Sequence, residues 1–422
     1  MDVAGDSARA QAVLDWYLGW LRRVPAGDGP EDDEVYAVLG PGAGPEVFRR
    51  FLTARRDDTL RPLGEPVLEG PGRVALAAAR ADGQRMRIVA IARSDGEAHA
   101  TITKAAPDGY VVREAVPEDG PALADLCRRT PIVDEKSRTT LDYGDDYLAA
   151  TALAEERDVM VVEHDGQLLA LHGCAYHDGV VGDLRSRMYY LRHTRIDPLA
   201  QKLGLFSALN GALFERGFSA GAIPYSMVAV GNDRMLDKLP DELRRWPWRH
   251  RRFSLDCRQL GDEAAVHHPV DASDAVPMVT ALRAGLAVNP VPTVDGLRRR
   301  LARAPHLYGP DRLVGTSDAV VGVGRQAMTI TEETGEMIEH RVEVVAYDVG
   351  AADPAALEQT LRAWCQQLAD EHVDDLIVDV CEGAPHFDLV SSLARSSRSY
   401  LVNLGMPPPP DATGFHIDPA LI

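Results

Sequence analysis

The stretch from Tyr189 to Leu209 constrains this chain more than any other. Tyr189–Ile196 has the composition of a strand, Asp197-Pro198 interrupts it, and Leu205-Phe206-Ser207-Ala208-Leu209 opens a helix. Gln201-x-x-Gly204 stands at the mouth of that helix. The first turn of a helix carries N–H groups with no intrahelical acceptor, together with the positive end of the helix dipole. A glycine there lets another group approach the backbone closely. Strand, glycine-containing turn and helix start make a seat for a phosphate or pyrophosphate.

The neighbouring segments set the fold class. A turn at Pro107-Asp108-Gly109 leads into a strand at Tyr110–Ala115 and a helix at Pro121–Arg129. A second helix is expected from about Tyr143 to Glu156. Two strands follow, Val159–Glu163 and Gln167–Ala175, joined by the tight hairpin signal His164-Asp165-Gly166. After the strand Met188–Ile196 and a helix reaching Phe218 come a strand at Ile223–Val230, a helical stretch opened by Asn232-Asp233, and a strand at Arg252–Leu255. The order is β-α-α-β-β-β-α-β-α-β.

Residues 263–422 repeat it. Val266–Val270, a helix at Val276–Leu286, a helix at Thr293–Ala304, strands at Arg312–Thr316, Ala319–Arg325 and His340–Val349, a long helix at Pro354–Glu371 and a strand at Asp375–Val380 fall in the same sequence. A helix near His386–Arg395, a strand at Tyr400–Leu404 and a closing strand at Phe415–Pro419 complete the second unit. A two-fold repeat at this length limits the architectures available. Residues 1–108 read differently. Val13, Leu14, Tyr17, Leu18 and Leu21 share one face of a helix, short helices are expected at Asp33–Leu39 and Pro45–Ala54, and a strand meander runs through Arg73–Arg80, Arg85–Arg93 and His99–Lys104.

The element order of residues 110–260, the opening Val112–Asp119 and the Gln201-x-x-Gly204 turn resemble the GCN5-related N-acetyltransferases (GNATs), whose loop pattern is Gln/Arg-x-x-Gly-x-Gly/Ala. This chain departs from the pattern at Phe206. The resemblance implies an α+β chain with two GNAT-type mixed-sheet domains in tandem after a small N-terminal α+β domain. The expected boundaries are 1–108 for the accessory domain, 109–262 for an acyl-CoA-binding GNAT domain and 263–422 for a degenerate one. The element order of the accessory domain weakly resembles the NTF2-like or steroid-isomerase cone.

The resemblance also implies a ligand and its seat. Acetyl-CoA or another short acyl-CoA would be the co-substrate, its pantetheine arm running along Met188–Ile196 beside Ile223–Val230. Its pyrophosphate would meet the backbone of Leu203, Gly204, Leu205 and Phe206. Arg195, Ile196, Gln201, Lys202, Ser207 and Asn232 complete the expected cofactor contacts, Asn232 serving equally as a helix cap. The second repeat has Asp353 and Glu358 where a pyrophosphate would lie, an unfavourable placement for a polyanion.

Acyl transfer to an amine needs a neutral nucleophile, an acceptor for its proton and a donor for the developing oxyanion. The family's usual glutamate and tyrosine are missing at their positions. His193 is then a candidate base and Tyr225 a candidate acid, although a structural histidine and a buried hydrogen-bonded tyrosine account for both residues without catalysis. Three functions stay open: N-acetyltransfer to a small-molecule amine, non-catalytic acyl-CoA binding, and other acyl-transfer chemistry in a secondary-metabolite pathway.

Composition narrows the partners. A net charge of −19 argues against nucleic acid, and residues 261–422 hold 24 acidic against 11 basic side chains. No apolar run approaches the roughly 20 residues of a membrane span. Five scattered cysteines without a CxxC, and no basic-then-apolar leader, fit a reduced, cytoplasmic protein. No metal-binding spacing such as HExxH is present among the histidines. A homodimer is compatible with this reading. Cys174 reads as a buried inert thiol, Trp246-Pro247-Trp248 as packing, and Gly322-x-Gly324 as no dinucleotide fingerprint because no helix follows it.

Overall fold

A computed structural model describes residues 3–23, 30, 35, 38, 60–70, 72–133, 138–181, 184–230, 232, 249–261, 268–283, 286, 288–334 and 337–404. In chain order these form α1 (Val3–Arg23), β1 (Leu60–Pro62), β2 (Val67–Gly70), β3 (Arg73–Arg80), β4 (Arg85–Ala92), β5 (Ala98–Lys104) and β6 (Val111–Glu114). Next come α2 (Gly120–Arg129), β7 (Ile132–Val133), β8 (Arg138–Asp142), α3 (Tyr147–Ala150), β9 (Glu156–His164), β10 (Gln167–Val181) and β11 (Leu184–Ile196). Then follow α4 (Leu205–Ser219), β12 (Ala222–Ala229), β13 (Arg249–Asp256), α5 (Cys257–Leu260), β14 (His268–Pro269), α6 (Ala272–Arg283), β15 (Val288–Pro290) and α7 (Val294–Arg303). The last are β16 (Leu313–Gly315), β17 (Ala319–Thr334), β18 (Met337–Ala351), α8 (Pro354–Asp370), β19 (Asp375–Cys381), α9 (Phe387–Leu393) and β20 (Ser396–Leu404). The helical stretch expected after Asn232, the helices expected at 33–39 and 45–54, the 246–248 aromatic pair and the closing strand at 415–419 lie outside the described residues.

Two compact units emerge. The first gathers Met1–Glu114, Met160–His172 and Ile196–Gly221. Its antiparallel sheet has the order β1-β3-β4-β5, with β2 added on β3. Period-two alternation gives this sheet two apolar faces. On one face Val74, Leu76, Ala78, Met86, Ile88, Ala90 and Ile102 bury against Val13, Leu14, Tyr17 and Trp20 of α1. Each large side chain of α1 so buried contributes about 1.5–3 kcal/mol. On the other, Ala75, Val89 and Ile91 receive Phe218 of α4. The helix following Gln201-x-x-Gly204 is thus a layer of the N-terminal sheet.

The second unit comprises Ala115–Val159, Gly173–Arg195 and Ala222–Ile422. Its strands follow the order β14-β16-β17-β18-β19-β13-β20-β12-β11-β10. Two neighbouring pairs are parallel, β11 with β12 and β18 with β19. Parallel neighbours need a crossover, and the chain supplies α4 between the first pair and α8 between the second. β20 pairs antiparallel with both β12 and β13. Trp364, Leu361 and Leu368 of α8 pack on Val321, Val323, Val344, Ala346 and Val378.

The helix expected at 143–156 is not formed. Asp146 caps a single turn, accepting from the amide of Ala149 at 3.0 Å, and Gly144 turns the chain at φ +67°. The preceding residues form β8, whose Arg138–Asp142 pairs antiparallel with Thr329–Glu333 of β17. That partner lies almost two hundred residues away, so local periodicity gave no sign of it.

Candidate functional site

In the second unit, β11 and β12 pair from Arg187↔Ala222 to Leu191↔Ser226. Beyond Ser226, β12 remains paired with β20 as far as Ala229↔Tyr400. β11 runs on to Ile196 without a β12 partner among the described pairs. The two strands therefore part at Leu191. Two residues later His193 takes φ +54°, the left-handed region that disfavours a non-glycine residue by about 1–3 kcal/mol. A left-handed residue inside a strand re-aims its side chain.

His193 packs against a pair of tyrosines. Its Nδ1 lies 2.8 Å from the hydroxyl of Tyr147, the first residue of α3. The His193 ring meets Tyr147 edge-on at 5.8 Å and Tyr143 at 5.6 Å, and the two tyrosines meet edge-on at 5.0 Å. Tyr147 is fully buried and Tyr143 nearly so. Among the described residues the Tyr143 hydroxyl has no hydrogen-bond partner. Burial pushes the Tyr143 hydroxyl up to about 12 and Tyr147 well above the ordinary range, against the opposing pull of Arg192 and Arg195. Burial also pushes the Cys127 thiol up to about 11. All three groups keep their protons at neutral pH. Arg192 is buried, and Arg195 gives Nη1 to the carbonyl of Thr194 at 2.8 Å. The surroundings of His193 are therefore aromatic, protonated and positively charged, which suits an oxyanion better than an ammonium.

Tyr225 is placed elsewhere. It is buried on β12, its hydroxyl 2.7 Å from Nε2 of His177. Nδ1 of His177 faces the carbonyl of Asp178 at 3.1 Å and must donate to it. In the neutral ring, Nε2 then accepts the Tyr225 proton. Tyr225 and His193 occupy separate hydrogen-bonded pairs, and the structure does not join them as an acid–base couple. Cys174 is buried in β10, its thiol raised to about 12 by burial. Asn232 donates its amide to the carbonyl of Ala229 at 3.1 Å.

The loop belongs to the first unit. Asp197 is buried and accepts from the amide of Leu199 at 2.9 Å, which starts the turn. Gln201 and Lys202 are exposed, and Lys202 takes φ +69°. Gly204 is the N-cap of α4 at φ +80°, and no side chain caps the helix. The amides of the first turn therefore point out of α4 without a carboxylate or hydroxyl from their own cap. A Cβ at Gly204 would stand 3.2 Å from Cδ of Lys104. The Lys104 amide donates to Oγ of Ser207 at 3.1 Å, so Ser207 holds the loop to β5. Phe206 meets His172 edge-on at 5.8 Å. Leu205 is buried, and Leu203 is partly covered.

Farther along α4, Glu215 is 1% exposed and pairs with both Arg73 and Arg87. A Cβ at Gly211 would fall 2.5 Å from Cγ2 of Thr103. Phe218 lies 4.8 Å from the His99 ring. The N-terminal sheet thus fixes the helix that carries the loop. The arginines of β3 and β4 give no local sign of this in the sequence, and neither does Tyr147 toward His193.

The corresponding connection in the second half of the chain is closed. Asp353 caps α8 through the amide of Ala355 at 3.2 Å, and Pro354 takes the first helical position. Every residue from Val344 to Ala351 of β18 is buried. Asp348 takes both oxygens to Arg300 at 3.2 Å and one to the hydroxyl of Tyr308 at 3.0 Å.

No family model and no curated protein matches this chain. Solved structures do. A crystal structure of Saccharomyces cerevisiae N-myristoyltransferase with bound myristoyl-CoA aligns with 74% of this chain and 88% of its own, at TM-score 0.53 and 9% identity. A structure of the same yeast enzyme with myristoyl-CoA and inhibitors aligns with 74% of this chain and 85% of its own, at TM-score 0.54 and 9% identity. At such identity the likeness is one of fold, and the chain has the mixed α+β fold of the GNAT-type acyltransferases.

Proposed function

We propose that the chain is an acyl-CoA-dependent N-acyltransferase, with acetyl-CoA or another short acyl-CoA as donor and a small amine as acceptor. The observation that carries this reading is the N-terminus of α4, which follows a left-handed glycine turn and lacks a side-chain cap. Pantetheine would run along β11, and the pyrophosphate would take the first amides of α4. The yeast enzyme of similar fold binds myristoyl-CoA, which supports an acyl-CoA donor here. The second half, with its self-capped α8, would be a degenerate GNAT unit that binds no CoA.

Transfer would be direct. The amine nitrogen attacks the thioester carbon, the C–S bond breaks, the surplus amine proton leaves to water, and the CoA thiolate gains a proton. No acyl-enzyme is needed, and the buried, protonated Cys127 and Cys174 are poor nucleophiles. The test is thiol release from acetyl-, propionyl- and longer acyl-CoAs over a panel of small amines. Amine-dependent release is expected. A chain that binds acyl-CoA but releases no thiol with any amine would favour a binding protein instead. The commitment of the Tyr225 proton to His177 is the feature that leaves that second reading standing.

A further inference from the structure

β17 and β18 form a long hairpin, and the outer part of β18 is an edge strand. The two strands pair regularly from Thr329↔Val342 to Thr334↔Met337. β8 takes the other side of β17 there, and β19 meets β18 only from Val344↔Leu376 to Ala346↔Val378. Met337–Glu343 therefore has one backbone edge with no strand beside it among the described residues. Its side chains are open as well, Met337 being 72%, Ile338 64% and Glu339 67% exposed. Such edges are normally blunted by proline, lysine or a bulge, because their unpaired N–H and C=O groups recruit another strand. This one has no proline and no lysine, and the hairpin's register shift falls beyond Val342.

The edge is complementary to itself. Ile338, His340 and Val342 share one face of the strand, and Glu339 and Arg341 share the other. Opposite residues of an antiparallel pair lie on the same face. A two-fold axis at His340 sets Glu339 opposite the second copy's Arg341, and Arg341 opposite its Glu339. It also sets Ile338 opposite the second copy's Val342, which is exposed in the single chain. An axis one residue either way puts Glu339 against Glu339 or Arg341 against Arg341, and like charges directly opposite destabilise a pair. Charge thus selects one register. We propose that this edge joins two copies of the chain through an antiparallel β18–β18 pair centred on His340. Arg341 already bonds Glu332 at 2.8 Å and its own Glu339 at 3.6 Å, so the second Glu339 joins an existing ion-pair cluster. The interface is isologous and small, which sets a Kd of roughly 1–100 µM. No residue of the edge belongs to the proposed cofactor seat, so the dimer stands apart from the acyl-transfer reading.

Sedimentation equilibrium of the full chain should show a reversible monomer–dimer equilibrium. Cysteine substitutions then read the register. Directly opposite residues bring their Cα atoms to about 4.5–5.5 Å, within disulfide reach. All five native cysteines are buried, so an introduced thiol on the edge is the accessible one. Under copper–phenanthroline and air, His340→Cys should give a covalent dimer and Ile338→Cys alone should not. Ile338→Cys combined with Val342→Cys should cross-link again. Glu339→Arg and Arg341→Glu should each weaken the dimer about tenfold, since each acts twice across the axis, and the double swap should restore it. A chain that is monomeric at about 100 µM overturns the proposal. So does Ile338→Cys cross-linking as readily as His340→Cys. If Arg341→Glu loses its contact with Glu332 and melts early, the cross-linking pattern decides by itself.

Discussion

Two strand-to-helix connections, Asp197–Gly204 ahead of α4 and the Ala352-Asp353 step ahead of α8, follow strands that each pair in parallel with the strand after the helix. They solve the problem of an exposed helix start in opposite ways. Asp353 satisfies an amide of α8 with its own carboxylate and places negative charge where an anion would come. Gly204 offers α4 no side chain and holds a left-handed turn. The strand edges differ likewise. β18 is buried through Ala351 with Asp348 saturated by Arg300 and Tyr308, while Arg195 and Ile196 at the end of β11 remain partly exposed. One connection is closed by its own cap, and the other is the one we propose receives a ligand. Charge agrees, since the acidic excess lies in residues 261–422.

The comparison can be broken at its strongest point. Gly204→Asp brings a carboxylate to the proposed pyrophosphate seat and forces a left-handed φ on a non-glycine residue. Acyl-CoA affinity should fall by about 100-fold or more, roughly 3 kcal/mol. Equilibrium binding with a thermal-melt control reads this, and unchanged affinity would remove the loop from the site. Glu215→Ala tests whether the N-terminal sheet holds α4. It removes the buried one of the two carboxylates that Arg73 and Arg87 share, Glu69 being the other, and because these arginines are about one-third exposed the loss should be about 2 kcal/mol, below that of a wholly buried pair. Denaturant unfolding measures it, and acyl-CoA affinity should weaken in parallel.

Acid probes the same contact more gently. Burial lowers His172, which lies against Phe206, from its ordinary 6.5 to about 4. The folded state then favours the neutral ring, so its contribution is present above pH 6.5 and is lost as pH falls from 6.5 toward 4. By pH 5 the loss is about 2 kcal/mol. His99 is lowered for the same reason but is only half-buried, so its share of the response is smaller. Hydrogen exchange of the α4 amides should accelerate over that window, and His172→Phe should flatten the response. The smallest effect belongs to the other connection. Asp353→Ala removes a helix cap worth about 1 kcal/mol. It should lower the melting temperature slightly and leave acyl-CoA affinity as it was. A change in affinity would mean that the two connections are not so different.

Much of the fold was legible because local signals agree with it. Residues 74–79 are a continuous apolar run between two arginines, bounded by Gly72 and Gly83, and Arg73–Arg80 forms the strand expected. Gly204 carried a conformational requirement that any strand–turn–helix reading exposes, and its φ of +80° meets it. What stayed hidden depends on long-range contact. Tyr147 and His193 are 46 residues apart, and nothing in either neighbourhood couples them. The helix expected over 143–156 shrinks to the single turn that holds Tyr147, and β8 before it is fixed by its pairing with β7 and with distant β17. Arg73 and Arg87 look like ordinary solvated strand residues until Glu215, far along the chain, is folded against them. Tyr225 was a reasonable acid on residue type alone, and only His177 shows where its proton goes.

The central claim is that one connection of the two receives the cofactor. Isothermal titration of the full chain with CoA tests it most directly. We predict one site per chain, lost in Gly204→Asp and retained in Asp353→Ala. Two sites per chain, or a single site indifferent to Gly204→Asp, would contradict it.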